Sequence, residues 1–406
     1  MTPSCRHCAS PLTQDFLDLG HAPPSNAYLS VEDLDRPEVT FPLKLKVCRS
    51  CRLVQTEDFA AADELFTRDY AYFSSTSRSW LEHAARYVEM ICDRLSLGAD
   101  SHVIEVASND GYLLKNFLPR GIPCLGIEPT ESTAKAAEAL GVPVLQAFFG
   151  ETCARDVPKS DLIIGNNVYA HVPDINDFTR GLARALKPEG VVTLEFPHVM
   201  RLVEFGQFDT VYHEHFSYLS LLTVERIFAS AGLRVWDVEE LPTHGGSLRV
   251  YGCLRSASRL ETPNVARLRA VEAERGMGDD LFYDAFQETA NRIKDDVLRF
   301  LMDAKANGNS VAGYGAAAKG NTLMNYAGIR HDLMPFVCDA APSKIGKYLP
   351  GSHIPILSPD LLRENRPDYL MIFPWNIAAE IRAQNADLAE AGTRFVTAVP
   401  RLEVTG

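Results

Sequence analysis

The chain has 406 residues, a formal net charge of −13, 46% hydrophobic residues and 23% charged ones. That length allows two or three domains with substantial cores, and the acidic balance argues against a nucleic-acid partner. No apolar run approaches the ~20 residues of a membrane helix, and the opening MTPSCRHCAS lacks the apolar segment of a secretory signal, so a cytoplasmic protein without membrane contact, and a monomer, is expected.

At the N-terminus, Cys5 and Cys8 form one C-x-x-C pair, and Cys48 and Cys51 form another. Two residues between thiolates let both bind one ion, and four thiolates satisfy tetrahedral zinc. Residues 1–56 therefore read as a zinc-closed module, too small to bury much core without its ion. His7 reads as a bystander; Cys92, Cys124, Cys153, Cys253 and Cys338 stand alone and read as core residues.

A helix is expected over roughly 79–95, and a regular alternation follows. SHVIEVA, IPCLGIE, VPVLQA, SDLIIGN and GVVTLEF read as strands; GYLLKNFLP, ESTAKAAEAL and INDFTRGLARALKP read as helices. Alternation of this kind predicts an α/β domain, a Rossmann-like parallel sheet with helices on both faces. The first strand ends in an acid and opens a helix at Gly111, the nucleotide position of open α/β folds. A G-x-G-x-x-G turn would admit a pyrophosphate, but Ala107, Asn109 and Gly111 stand there instead. Such a turn suits a cofactor without phosphates. The second strand ends at Glu128, whose carboxylate can take both hydroxyls of a ribose. Glu105, Glu128 and a lone glycine turn together form the pattern of S-adenosylmethionine binding. Phe148 and Phe149 stand where an adenine could stack, or else belong to the core. Asn166 and Asn167 can hydrogen-bond the methionine end, and His171 faces the cleft from the end of the fourth strand.

FDTVYHEHFSYLS then follows GVVTLEF and crowds Tyr212, His213, Glu214, His215 and Tyr218 together. Alternation on an extended segment would make His213 and His215 a metal pair; a base with hydrogen-bonding partners is the other reading. LRVWDVEEL and GSLRVYGCL read as a hairpin-like pair that closes this domain at residue 255. Between them, His244, Gly245, Gly246 and Ser247 either allow a phosphate or sugar close to the backbone or make a tight turn. Residues 264–307 have helical spacing and read as a long connecting helix.

The alternation restarts in NSVAGYG, AAKGNTLMNYAG, LMPFVCD, PDYLMIFP and GTRFVTAVP, a second Rossmann-like α/β unit over 256–406. Gly313 and Gly315 after a strand, with Lys319 at a helix start and Asn321 beyond, suit a diphosphate. Asp339, Lys344 and Lys347 lie near the same edge, and Trp375 and Asn376 follow a further strand, fit to stack on or bond a base.

The tandem C-x-x-C module, EVASNDGYLL, NNVYAHVPD, YHEHFSYLS, THGGSLRVY and GYGAAAKGNTLMN resemble, in that order, the sugar C-methyltransferases of branched-chain deoxysugar biosynthesis. The resemblance spans nearly the whole chain. It implies methyl transfer from S-adenosylmethionine to carbon 3 of a nucleotide-linked 4-keto-deoxysugar. It also implies three parts around one site: a zinc module (1–56), a methyltransferase domain (57–255) and a C-terminal domain for the sugar nucleotide. By the same resemblance His215 is the base, Tyr212 and Glu214 support sugar and base, and Tyr72 and His171 also face the sugar. In YAYFSSTS, Phe73 departs from members with a polar residue there. Because methyl transfer from sulfonium to carbon needs a base rather than a metal, His213 reads as structural. Strict alternation would put His213 and His215 on one face, so the segment is expected to bend near Glu214. The alternatives are an O- or N-methyltransferase and a non-catalytic zinc scaffold that binds nucleotide-sugars. An NAD-dependent epimerase would need a Tyr-x-x-x-Lys pair that is missing at a suitable place.

Overall fold

A computed structural model describes residues 2–57 and 73–406, so the expectation for Tyr72 lies outside the described residues. Near the N-terminus, β1 (Gln14–Ala22), β2 (Phe41–Val47) and β3 (Val54–Thr56) pair antiparallel. Leu17, Leu43, Leu45 and Val47 from these strands are buried.

The central strands are β4 (Val103–Val106), β5 (Cys124–Ile127), β6 (Val144–Leu145), β7 (Ser160–Asn166) and β8 (Leu186–Pro197). After these come β9 (Ser217–Tyr218), β10 (Leu233–Leu241) and β11 (Ser247–Leu254). The central sheet has the order β10-β11-β8-β7-β4-β5-β6, parallel throughout except for β11, which runs antiparallel to both neighbours. β4 is buried at every position, as expected of a strand covered on both faces. The chain steps from β4 out to β6, then crosses back to β7 on the opposite side of β4. That reversal opens a crevice at the carboxyl ends of β4 and β7, the place where ligands bind in open α/β sheets.

The C-terminal sheet repeats the device with β12 (Val311–Tyr314), β13 (Val337–Cys338), β14 (Ile356–Leu357), β15 (Tyr369–Ile372), β16 (Arg394–Thr397) and β17 (Glu403–Thr405). Its order, β14-β13-β12-β15-β16-β17, puts a second reversal between β12 and β15. β14 and β17 were not anticipated; each is short and lies at a sheet edge.

Two expected helices differ. GYLLKNFLP forms two 3-10 turns, Leu114–Asn116 and Leu118–Arg120. Asn116 donates its amide to the Tyr112 and Leu113 carbonyls, and Pro119 has no N–H to continue a helix. The connecting helix is broken into Pro263–Glu274, Leu281–Asp284 and Phe286–Ala306 by a stretch holding Gly276 and Gly278.

One hydrophobic cluster joins Phe16 and Leu45 of the N-terminal sheet, Phe286 and Ile293 of the connecting helix, and Met324 and Val399 of the C-terminal unit. Phe16 stacks on Phe286 with ring centroids 4.9 Å apart. The four N-terminal cysteines' neighbourhood packs on the other side into the core of the central sheet. The small module is thus wedged between the two larger units. No helix among the described residues is long and apolar enough to cross a membrane.

Candidate active site

At the first reversal, β4 delivers Glu105, 1% exposed, and the turn that follows is tight. Ala107 (φ 55°), Asn109 (φ 50°) and Gly111 (φ 75°) are all left-handed. A Cβ on Gly111 would stand 3.0 Å from the Cβ of Ala137, so this position needs glycine for space as well as for φ. A left-handed alanine costs of order 1 kcal/mol, and such strain gathers at functional sites. Glu128 at the end of β5 pins the turn by accepting the N–H groups of Asn109 (3.0 Å) and Thr130 (2.9 Å). A carboxylate has about four acceptor positions, so room remains for a ribose.

Asn109 and Asp110 accept the N–H groups of Ser74 and Ser75 at 2.9 and 3.0 Å, which ties the segment after Tyr72 to this turn. Burial, then the charges of Glu128 and Asp110, holds the Glu105 carboxyl well above the usual carboxylate range. Among the described residues, Glu105 Oε2, Ser108 Oγ, both amide atoms of Asn166 and Asn167 Oδ1 are buried without hydrogen-bond partners. Buried polar atoms are ordinarily paired, so this concentration at one crevice marks a polar ligand's place, and it fits S-adenosylmethionine. Phe148 is 66% exposed, while Phe149 packs edge-on to Phe178 in the core, centroids 5.2 Å apart.

The YHEH segment bends where the resemblance required. The His215 N–H donates to the Tyr212 carbonyl at 3.1 Å, closing a turn over His213 and Glu214. His213 leaves the site: its Nε2 meets the Phe41 carbonyl at 3.3 Å and its ring lies edge-on to Phe41. His215 turns inward, its ring centroid 4.7 Å from Tyr212, 4.5 Å from His171 and 5.9 Å from Tyr218. Burial, then His171 and His244, hold the His215 pKa well below the ordinary imidazole value, opposed by the Thr210 backbone. Burial likewise lowers His171 to about 4, against a hydrogen bond to the Glu214 backbone. Tyr212 is pushed well above the usual phenol range, first by burial and then by nearby carboxylates, so its hydroxyl keeps its proton. Glu214 is 3% exposed and accepts the Asn26 amide on both oxygens at 3.1 Å.

The turn before β11 faces the same space. His244 Nε2 lies 3.1 Å from Asn167 Nδ2, and burial lowers His244 to about 4. Gly245 (φ 86°) backs onto Trp375, whose ring a Cβ there would strike; Gly246 has φ 121°. Ser247 is buried and donates its hydroxyl to the Thr243 carbonyl at 3.0 Å.

At the second reversal, Gly315 (φ 89°) leads to the helix Ala318–Ala327. Lys319 Nζ donates to Asn376 Oδ1 at 2.6 Å and lies 4.4 Å from the Trp375 ring centroid. Burial lowers the Lys319 pKa, opposed by Asp209. Asn321 is buried and donates to the Ser25 carbonyl at 2.7 Å, leaving Oδ1 unpartnered among the described residues. Lys344 Nζ donates to the Ala316 carbonyl (2.8 Å) and lies 3.5 Å from Asp339; Lys347 is half-buried nearby.

Cys5, Cys8, Cys48 and Cys51 place their sulfurs within 4.8 Å of one another. The Cys5–Cys51 and Cys8–Cys48 separations are each 3.5 Å. Tetrahedral zinc with ~2.3 Å bonds to sulfur needs edges of about 3.8 Å, so the donor set fits that ion.

Sequence reasoning passed over several residues. Glu195, fully buried at the end of β8, accepts from Arg249 (2.8 Å) and Thr243 (3.0 Å) and contacts His83 (3.0 Å). That network carries the His244 turn. Trp80, stacked on His83 at 4.9 Å, reaches both Tyr112 and His244. Asn26 and Asp209 were also missed. An acid ending a buried strand, as Glu195 does, was the one signal available.

Family models match a domain described as zinc binding at residues 5–66, a methyltransferase domain at 80–238 and a C-methyltransferase C-terminal domain at 242–400. The chain is 34% identical to the C-methyltransferase NovU of Streptomyces niveus, over 98% of this chain and 96% of that protein. An S-adenosylmethionine-dependent methyltransferase structure from Clostridium acetobutylicum aligns over 43% of this chain and 92% of its own, with 12% identity and a TM-score of 0.35. One from Mesorhizobium loti aligns over 42% and 99%, with 14% identity and a TM-score of 0.34.

Proposed function

This chain belongs to the C-methyltransferase family, as an S-adenosylmethionine-dependent enzyme with an N-terminal zinc-binding domain, and on that premise we propose that it methylates carbon 3 of a nucleotide-linked 4-keto-deoxysugar through an enolate. S-adenosylmethionine supplies an electrophilic methyl group on sulfonium. Everything else falls to the chain's own side chains.

The observation that carries the proposal is the environment of His215. Burial holds its imidazole neutral, so one ring nitrogen presents a lone pair. That nitrogen takes the proton beside the ketone. Such a proton is far less acidic than an imidazolium, so the enolate needs donors already in place. The Tyr212 hydroxyl, which keeps its proton, is one; His171, its ring centroid 4.5 Å from that of His215, is assigned to the sugar. Tyr72 is assigned to the sugar as well, and Glu214, fixed by Asn26, to holding it. Glu105, Glu128, Asn166 and Asn167 take the methyl donor; Ala107, Asn109 and Gly111 shape its turn, with Phe148 and Phe149 at the adenine side.

The second reversal takes the nucleotide. Lys319 meets the diphosphate, with Gly315 admitting it and Asn321, Asp339, Lys344, Lys347, Trp375 and Asn376 around it; His244, Gly246 and Ser247 line the sugar's path. The test is exchange of the carbon 3 proton into heavy water, without the methyl donor, in nucleotide-linked 4-keto-deoxysugars that differ in base and substituent. Exchange at carbon 3 in at least one supports the proposal. Methyl transfer to an oxygen or nitrogen, without exchange, overturns it.

A further inference from the structure

Between the two crevices lies a cluster that the proposal above leaves without a purpose. Asp209 is 2% exposed and precedes Tyr212 by three residues. Its Oδ2 accepts the indole N–H of Trp375 at 2.7 Å, and Trp375 carries Lys319 over its ring at 4.4 Å. On the other side, Thr210 gives its hydroxyl to the Gln207 carbonyl at 2.8 Å, and, two residues on, the Tyr212 carbonyl accepts the His215 N–H at 3.1 Å. Gln207 in turn donates its amide to the Gly245 carbonyl at 2.8 Å, behind Trp375. Thr322, on the helix that Lys319 opens, donates its hydroxyl to the Val211 carbonyl at 2.9 Å.

A continuous set of contacts therefore runs from the lysine of the C-terminal crevice to Tyr212, whose ring lies 4.7 Å from that of His215. Burying a carboxylate is costly: burial pushes Asp209 up to about 6, against Lys319 and the Trp375 hydrogen bond. A wall between two domains does not require a charged group. A device that fixes one loop conformation does make use of it, because an aligned acceptor is satisfied in only one geometry.

We infer that Asp209 is a positioning residue, through which a nucleoside diphosphate seated at Lys319 sets the 209–212 segment and hence the Tyr212 and His215 rings, 4.7 Å apart. The inference rests on the proposed roles of Lys319 and His215. It predicts that proton abstraction, not merely binding, suffers when the Asp209–Trp375 bond is removed.

The experiment measures donor-free carbon 3 exchange at saturating nucleotide-linked keto-sugar in Asp209→Leu, Trp375→Phe, the double variant and His215→Asn. A displacement of about 1 Å can cost about 100-fold, so each single variant is expected to lower the exchange kcat about tenfold with KM changed less than about threefold. The double variant should be no slower than the slower single one, since both remove the same bond. Binding of S-adenosylmethionine should be unchanged. A wild-type kcat with only KM raised would overturn the inference, as would losses that multiply in the double variant. If Asp209→Leu does not fold, Trp375→Phe, which removes the N–H and keeps an aromatic ring, decides by the same kcat and KM criteria. Exchange persisting in His215→Asn would instead refute the base itself; a dead His215→Asn beside an unimpaired Asp209→Leu refutes only the link.

Discussion

At the residue scale, burial decides how far each imidazole of the site can act as a base. A solvated histidine is half protonated near pH 6.5 and would lose half its rate as a base there. His215 is held well below that value by burial, then by His171 and His244. The acid limb of donor-free exchange should accordingly stay level through pH 6.5 and fall only at lower pH, as a pH–rate profile would report. Half-loss at pH 6.5 would contradict the assignment.

His171 and His244, each lowered to about 4, have a second consequence. Folding disfavours their charged forms, so their share of stability is full above about pH 6.5 and is lost as pH falls toward about 4. The thermal midpoint of His244→Gln should therefore depend less on pH across that window than that of the wild type. Equal slopes would mean that burial of His244 costs little. On the donor side, Glu128 both pins the Asn109 turn and is assigned to the ribose, so Glu128→Ala should weaken S-adenosylmethionine binding by about 1–3 kcal/mol in calorimetry. Unchanged affinity would move the donor elsewhere.

At the element scale, the zinc module braces the site. β9 joins the N-terminal sheet through Val54–Tyr218 and Gln55–Ser217 pairs, and the Thr56 N–H reaches the Phe216 carbonyl at 3.2 Å. Asn26 fixes Glu214, and Phe41 receives His213. Losing the ion frees Cys48 and Cys51, which flank the turn into β3. Cys48→Ser should therefore lose zinc by metal analysis, lower the thermal midpoint and slow exchange more than it weakens donor binding. A Cys48→Ser protein that keeps full exchange and stability would contradict this bracing.

The C-x-x-C pairs were legible because their ligand geometry is local in sequence. So were the strand ends at Glu105, Glu128 and Asn166, since buried parallel strands are written as apolar runs. β9 was not legible: two residues long, it exists only because a strand from another module pairs with it. The helix expected at GYLLKNFLP does not form, because Pro119 and the competing amide of Asn116 outweigh its apolar spacing. The bend at His213–Glu214 followed from the requirement that His215 and Tyr212 share a face, which alternation alone denied.

At the scale of the whole molecule, two reversals in two sheets face one loop, and the proposed reaction divides between them. In that proposal the first takes the methyl donor and the second the nucleotide, so damage to one should leave the other's binding intact. Lys319→Ala should raise the KM for the sugar nucleotide while calorimetry finds donor binding unchanged; a loss of donor binding would reverse the assignment. The central claim is that proton removal belongs to the loop between them and precedes methyl transfer. The most direct measurement is carbon 3 exchange into heavy water, with no methyl donor present, in His215→Asn beside His213→Asn. General bases contribute about 100- to 10,000-fold, so His215→Asn should lose exchange and methyl transfer by at least about 100-fold, while His213→Asn, which packs on Phe41, keeps most of both. Exchange in His215→Asn within about tenfold of the wild type would contradict the account.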